Sequence, residues 1–137
     1  SQRHGPAPTL LILDIDHFKK INDVHGHPSG DAVLAHLAQL LKASLRNVDI
    51  VGRIGGEEFA VVLVETNAAM AEPVIDRLLE RIRETTVTLS DGQPLQFTAS
   101  IGSTEILWGD TIDTAIQRAD EALYTAKNSG RNRHCQR

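Results

Sequence analysis

The sequence predicts an α+β sandwich, ferredoxin-like in plan, with a mostly antiparallel central sheet flanked by helices and a β-hairpin presenting the run GGEEF at residues 55–59. Three observations carry that expectation. An unbroken apolar run, TLLILDID, ends in acids and reads as a strand buried on both faces. Two further strand-like runs, VDIVGRI and FAVVLV, flank a glycine-rich acidic break and so read as a hairpin. Amphipathic stretches between and after them repeat apolar residues at helical spacing, giving the order strand, helix pair, hairpin, helix, strand, helix.

The opening SQRHGPAP, residues 1–8, reads as a tail; the folded unit is expected over 9–132, and a short tail over 133–137. In HFKKINDVHG, Phe18, Ile21 and Val24 recur at helical spacing, Asp16 stands where an N-cap belongs, and Gly26 is a stop. From Pro28 a longer helix follows, with Val33, Leu37, Leu40, Leu41 and Leu45 on one face and His36, Gln39, Lys42 and Arg46 on the other. MAEPVIDRLLERIRE repeats the pattern, turning Val74, Ile75, Leu78, Leu79 and Ile82 inward. After a turn at SDGQP, the alternation of Phe97, Ala99 and Ile101 marks a strand. The last helix, DTIDTAIQRADEALYTAKNSG, is acidic at its start and ends at Gly130.

With 137 residues, 41% of them hydrophobic, the chain suits one domain with a sizeable core. A net charge of -4 and the lack of any Lys/Arg-rich stripe argue against long nucleic acid as a ligand, and 4% aromatics leave no stacking platform for single strands. The sole cysteine, Cys135, can form neither an internal disulfide nor a cysteine-based metal site, which fits a reducing cytoplasm. No apolar run reaches the roughly 18 residues of a membrane span, so no direct membrane contact by this segment is expected, although a longer parent protein could carry an anchor.

The chemistry concentrates around the acids. Asp14 and Asp16 share a parity at the end of the first strand with Leu10 and Ile12, and an unpaired carboxylate there is costly unless it holds a cation or a cap. Asp16 has the capping role to fill; Asp14 has none. A hairpin paired beside the first strand brings Glu57 and Glu58 near Asp14, a set of hard oxygen ligands suited to Mg²⁺. Gly55 and Gly56 then permit a tight turn and leave no side chain between backbone and a bulky ligand. The helix after Asp16 offers free amides and a dipole for phosphate, with Lys19 and Lys20 beside it. A strand end with metal-binding acids next to a phosphate-binding helix start describes a nucleoside triphosphate site.

Three long motifs, DIDHFKKINDVHGHPSGD, RNVDIVGRIGGEEF and ADEALYTAKNSGRNR, resemble the GGDEF domain of bacterial diguanylate cyclases, in order, at family spacing and over nearly the whole chain. The resemblance implies a palm-type fold and the condensation of two GTP into cyclic di-GMP with release of two pyrophosphates, one GTP being held by each of two facing domains. It implies Mg²⁺ (or Mn²⁺) on Asp14, the Ile15 carbonyl and Glu57, with Glu58 assisting, Glu57 as base for the ribose 3′-hydroxyl, and Lys19 stabilising phosphate charge. Lys127 and Arg131 would contact the triphosphate from the other side; Phe18, His27, Gly55 and Gly56 would line the substrate. Asn22 and Asp31 would read guanine, whose pairing edge offers adjacent N–H donors that a carboxylate accepts. Arg46, Asp49 and the glycine motif reproduce the spacing of the family's RxxD inhibitory site for cyclic di-GMP, with Arg77 as a second arginine.

Family members usually begin earlier, with a helix and a segment like DxLTGLxNR, and carry an N-terminal sensory or dimerising domain; this sequence starts after both. The expected function is therefore a homodimeric diguanylate cyclase with product inhibition, the alternative being a GGDEF module that senses GTP or cyclic di-GMP without turnover and acts through a partner. Degenerate members of that second kind normally lose acids of the signature, and here GGEEF, Asp14 and Lys19 all stand.

Overall fold

A computed structural model describes residues 5–137. The chain runs β1 (Thr9–Ile15), α1 (Phe18–His25), α2 (His27–Ser44), β2 (Ile50–Arg53), β3 (Glu58–Leu63), α3 (Ala68–Glu84), β4 (Val87–Thr88), β5 (Pro94–Leu95), β6 (Ala99–Glu105), α4 (Ile112–Asn128) and β7 (His134–Gln136). The main sheet has the order β2-β3-β1-β6-β7, and β4 and β5 form a separate small hairpin. Its first four strands pair antiparallel, as the ferredoxin-like plan requires, and place β1 in the middle of the fold.

Central placement explains the apolar run of β1, because both faces are covered. Leu11, Leu13 and Ile15 pack with Val33, Leu37 and Leu41 of α2 and Ile75, Leu78 and Ile82 of α3. Leu10 and Ile12 pack on the opposite face against Ala115, Ala119 and Leu123 of α4. Truncating a fully buried residue such as Leu11 or Leu37 to alanine should cost about 2–5 kcal/mol. The small residues of α4 let that helix lie close to the sheet, and Gly102 of β6 completes the fit: a Cβ there would stand 2.3 Å from the Ala119 carbonyl oxygen.

Four local expectations are revised. Val24 is 64% exposed, because α1 ends one residue later and its core contacts come from Phe18 and Ile21. Leu40 and Leu45 are only partly buried, packed at the margin of the core. Residues of the 133–137 tail add a strand, β7, parallel to β6 with Gly102 opposite Cys135. Residues 1–4 of the expected leading tail lie outside the described residues; at its end, Pro8 accepts a hydrogen bond of 2.8 Å from the Ile106 amide, so the chain is already tied to the fold there. Among the described residues no helix is long and apolar enough to cross a membrane.

Candidate active site

The end of β1 sends successive side chains to opposite faces of the sheet, and Asp14 goes to the α4 side. It is 4% exposed, and the Lys127 ammonium at the last turn of α4 donates to its Oδ2. Its Oδ1 is buried with no partner. Antiparallel pairing of β3 sets Glu58 directly across from Asp14, with the turn 54–57 closed by the Ile54 amide donating to the Glu58 carbonyl at 2.9 Å. Glu57, the last residue of that turn, stands against Asp14. Burial, then the Asp14 carboxylate, push its carboxyl up to about 7, with Lys127 acting in the opposite sense. The Glu58 carboxyl is raised too, by burial first, then by Asp120 and Asp14.

Asp14, Glu57 and Lys127 border a cleft of about 450 Å³ that is also lined by Ile15, Asp16, His17, Phe18, Lys19, Lys20, Asp23 and Arg131. The first turn of α1 forms one wall. No side chain caps it, and His17 in the capping position has a left-handed φ of 57°. Asp16 is therefore not the cap that its position suggests. Its carboxylate turns away from α1 and accepts from the hydroxyls of Thr98 (2.6 Å) and Ser100 (2.7 Å) and from the Asn132 amide (2.9 Å). The α1 amides thus remain open to an anion, beside Lys19 and Lys20.

Of the expected base-reading residues, Asn22 sits under the start of α2 with its Oδ1 buried and unpartnered. Gly30 makes room for it, since a Cβ there would fall 1.8 Å from that oxygen and 3.2 Å from the Phe18 ring. Asp31 is exposed and borders a neighbouring cleft of about 520 Å³ between α2 and the hairpin, with Lys42, Arg53 and Phe59. His27 is exposed at the first position of α2 and borders neither cleft. Gly55 and Gly56 take no positive φ, so conformational freedom is not what the turn draws from them. A Cβ would meet nothing at Gly56, and at Gly55 its nearest neighbour would be the Glu58 Cβ at 3.5 Å. The turn is held instead by Arg53, whose guanidinium donates to the carbonyls of Gly55 (3.1 Å) and Gly56 (2.5 Å).

Arg46 and Asp49 stand at the other end of β2. Asp49 receives Arg46 through Nη2 (2.9 Å) and the Val64 amide (3.1 Å), while Arg46 also donates to the Val64 carbonyl (2.6 Å). Burial pushes the Asp49 carboxyl up, and the Arg46 guanidinium with the Val64 and Arg46 amides more than reverses it. Arg77 of α3 donates to the Ser44 carbonyl at 3.1 Å, which brings it beside the end of α2 and the approach to Arg46.

The profile of the family described as diguanylate cyclase, GGDEF domain, matches residues 1–133. This chain belongs to the GGDEF family. Diguanylate cyclase A of Treponema denticola is 40% identical over 126 residues, covering 91% of this chain and 34% of that protein. Diguanylate cyclase SiaD of Pseudomonas aeruginosa, solved in complex with its activator SiaC, superposes with a TM-score of 0.94 at 42% identity, over 100% of this chain and 52% of that one. The GGDEF domain of DgcB from Caulobacter crescentus, solved in complex with c-di-GMP, gives 0.89 at 30% identity, covering 95% of this chain and 77% of that one. The GGDEF domain described here thus spans about a third of the length of its Treponema relative.

The donor set of this GGDEF domain fits a divalent cation. A buried carboxylate oxygen without a partner and a second carboxyl beside it, raised by burial and then by Asp14, are hard oxygen groups that a cation would satisfy, and Ile15 lines the same cleft. Among the described residues no three His, Cys, Asp or Glu side chains gather as a metal cluster, so side chains alone do not complete a coordination shell. Sequence reasoning missed Thr98, Ser100 and Asn132 as partners of Asp16, and Asp23 and His17 as cleft residues. Only the DID repeat hinted that a second acid mattered.

Proposed function

We propose that this domain is the catalytic part of a diguanylate cyclase. Two GTP molecules, one on each of two facing copies, react twice. In each step a ribose 3′-oxygen attacks the α-phosphorus of the other nucleotide, the bond to the leaving phosphate breaks, and pyrophosphate departs. Glu57, against Asp14 on the cleft, takes the 3′-hydroxyl proton. The open amides of α1 and Lys19 hold phosphate oxygens, Lys127 and Arg131 close on them from the α4 side, and Asn22 and Asp31 accept from guanine. Phe18 borders the nucleotide, and Gly55 with Gly56 clear its path. Mg²⁺ or Mn²⁺, held by Asp14, the Ile15 carbonyl and Glu57 with Glu58 assisting, supplies charge neutralisation of the triphosphate when bound.

The observation that carries this reading is the buried, unpartnered Oδ1 of Asp14 beside Glu57 at the mouth of the cleft. Product inhibition at Arg46, Asp49 and Arg77 is part of the proposal, supported by the approach of Arg77 to the end of α2 and by the relative solved with c-di-GMP. An upstream regulatory domain in the parent protein is supported by the greater length of the relatives.

Incubating the protein with GTP and Mg²⁺ and separating the products by chromatography tests the reaction. Cyclic di-GMP and pyrophosphate should appear in a ratio of one to two, at a rate per domain that rises with concentration until dimers saturate. Tight GTP binding without turnover would instead make the domain a sensing module.

A further inference from the structure

Asp16 is 6% exposed, borders the cleft, and has no part in the chemistry above. Its two oxygens accept from three donors in two distant segments: Thr98 just ahead of β6, Ser100 within it, and the Asn132 amide beyond α4. Asn132 and its neighbour Arg131 take left-handed φ values of 51° and 62°, a conformation that asparagine tolerates and arginine seldom adopts. Asn132 is held twice. From the other side Arg83 of α3 donates to the Asn132 side-chain oxygen at 2.7 Å and to its carbonyl at 3.1 Å.

We infer that Asp16 is a positioning residue for the triphosphate: with Arg83 it clamps the left-handed pair Arg131–Asn132 and so aims the Arg131 guanidinium into the cleft beside Lys127. The inference rests on the reading of the cleft as the triphosphate site. Helix α4 ends at Asn128 with Ser129 as its C-cap, and the Arg131 amide closes back on the Ala126 carbonyl at 2.9 Å. Beyond that point no helical bond holds the chain: the Arg131 guanidinium reaches back to the Lys127 carbonyl at 3.3 Å and the Arg131 carbonyl accepts from the Arg133 side chain at 3.0 Å, while Asn132 is bonded by Asp16 and Arg83. A buried carboxylate bonded to one backbone amide restores the order that the helix no longer supplies.

The test measures affinity of the intact protein, with Mg²⁺ present, for a non-hydrolysable GTP analogue and for GMP, in Asp16→Asn, Arg83→Gln, Arg131→Gln and the two double variants with Arg131→Gln. Asp16→Asn should weaken the GTP analogue about tenfold and GMP little, since GMP lacks the outer phosphates. In the Arg131→Gln background the same change should cost less than about twofold, because the group it positions has gone. Arg83 is exposed, so Arg83→Gln tests the clamp even where Asp16→Asn does not fold; it should show the same selectivity and the same loss of effect in the Arg131→Gln background. Losses that simply add, or equal weakening of GMP and analogue, overturn the inference and leave Asp16 a general support of the fold. If Arg131→Gln alone leaves analogue affinity unchanged, the triphosphate reading of the cleft fails first and the inference with it.

Discussion

Asp14 and Lys127 stand 113 residues apart in the chain and meet as an ion pair in the cleft. The pair joins the central strand to the last turn of the last helix and satisfies one oxygen of a carboxylate whose other oxygen has no partner. Removing the ammonium leaves a buried charge uncompensated. Lys127→Met should therefore lower the stability of the metal-free protein by about 1–3 kcal/mol, at the low end because Lys127 is partly solvated. Added Mg²⁺ should then raise the melting temperature of the variant more than that of the parent. An equal response in both would separate Asp14 from the cation.

Glu57→Gln keeps the size of the side chain and removes the charge that the proposed function assigns to the base and to a metal ligand. Turnover should fall by at least about a hundredfold, the ordinary scale of a lost general base. The fold should be unaffected, because Glu57 lies at the end of a turn and contributes nothing to the apolar clusters. Steady-state production of cyclic di-GMP, with melting curves as the control, decides it; near-normal turnover sinks the assignment.

Asp31→Asn exchanges an acceptor for a mixed donor and acceptor. If Asp31 reads guanine, GTP binding should weaken by about 1–3 kcal/mol and discrimination against ATP should shrink. Competition binding with the two nucleotides checks this, and unchanged selectivity would move guanine recognition elsewhere.

Arg46→Ala should abolish tight cyclic di-GMP binding and let synthesis run past the level at which the parent stalls. The initial rate should be retained, because Arg46 stands at the opposite end of β2 from the turn that carries Glu57. Its bonds to Asp49 and the Val64 carbonyl add a modest loss of stability to the expectation. Calorimetry with cyclic di-GMP and progress curves read the two halves separately; unchanged product affinity would reduce the pair to a structural brace.

Asp110 supplies the pH dependence. Arg118 donates to both of its oxygens, at 3.0 and 2.8 Å, and the Leu107 amide adds a third bond at 2.6 Å. Arg118 first, then that amide, holds its carboxyl well below the ordinary value of 3.8. The folded state thus binds the proton less readily than the unfolded chain, so the stabilisation is complete above that value and fades as pH falls through the lower folded-state range. Asp110→Asn should be less stable than the parent at about pH 6, with the gap narrowing toward about pH 2 in denaturant titrations. A gap that stays constant would mean that Asp110 acts through shape rather than charge.

Much of this was legible in the chain. The apolar run of β1, the helical spacings of α2 and α3 and the hairpin around residues 54–57 follow from local periodicity, and each is where it was expected. The meeting of Asp14 with the hairpin acids was conditional on β3 pairing beside β1, and the register of Asp14 opposite Glu58 meets that condition. Asp16 shows where local reasoning ends. An aspartate ahead of a helix is a good cap by propensity, but here three donors from distant segments outbid the local amides.

By itself the sequence determined the elements, their order and the presence of acids, lysines and glycines in a nucleotide-site pattern, because periodicity and residue chemistry act over a few neighbouring positions. Only the tertiary structure decided what each carboxylate meets, leaving Asp14 with an unpartnered oxygen and turning Asp16 from a helix cap into a tie between distant segments. That choice turns on hydrogen-bond donors more than 80 residues away, such as Ser100 and Asn132, and on α4 lying across the sheet with Lys127 at its end. The free energy of a buried charge depends on what surrounds it in space, and a linear chain does not carry that surrounding until it folds.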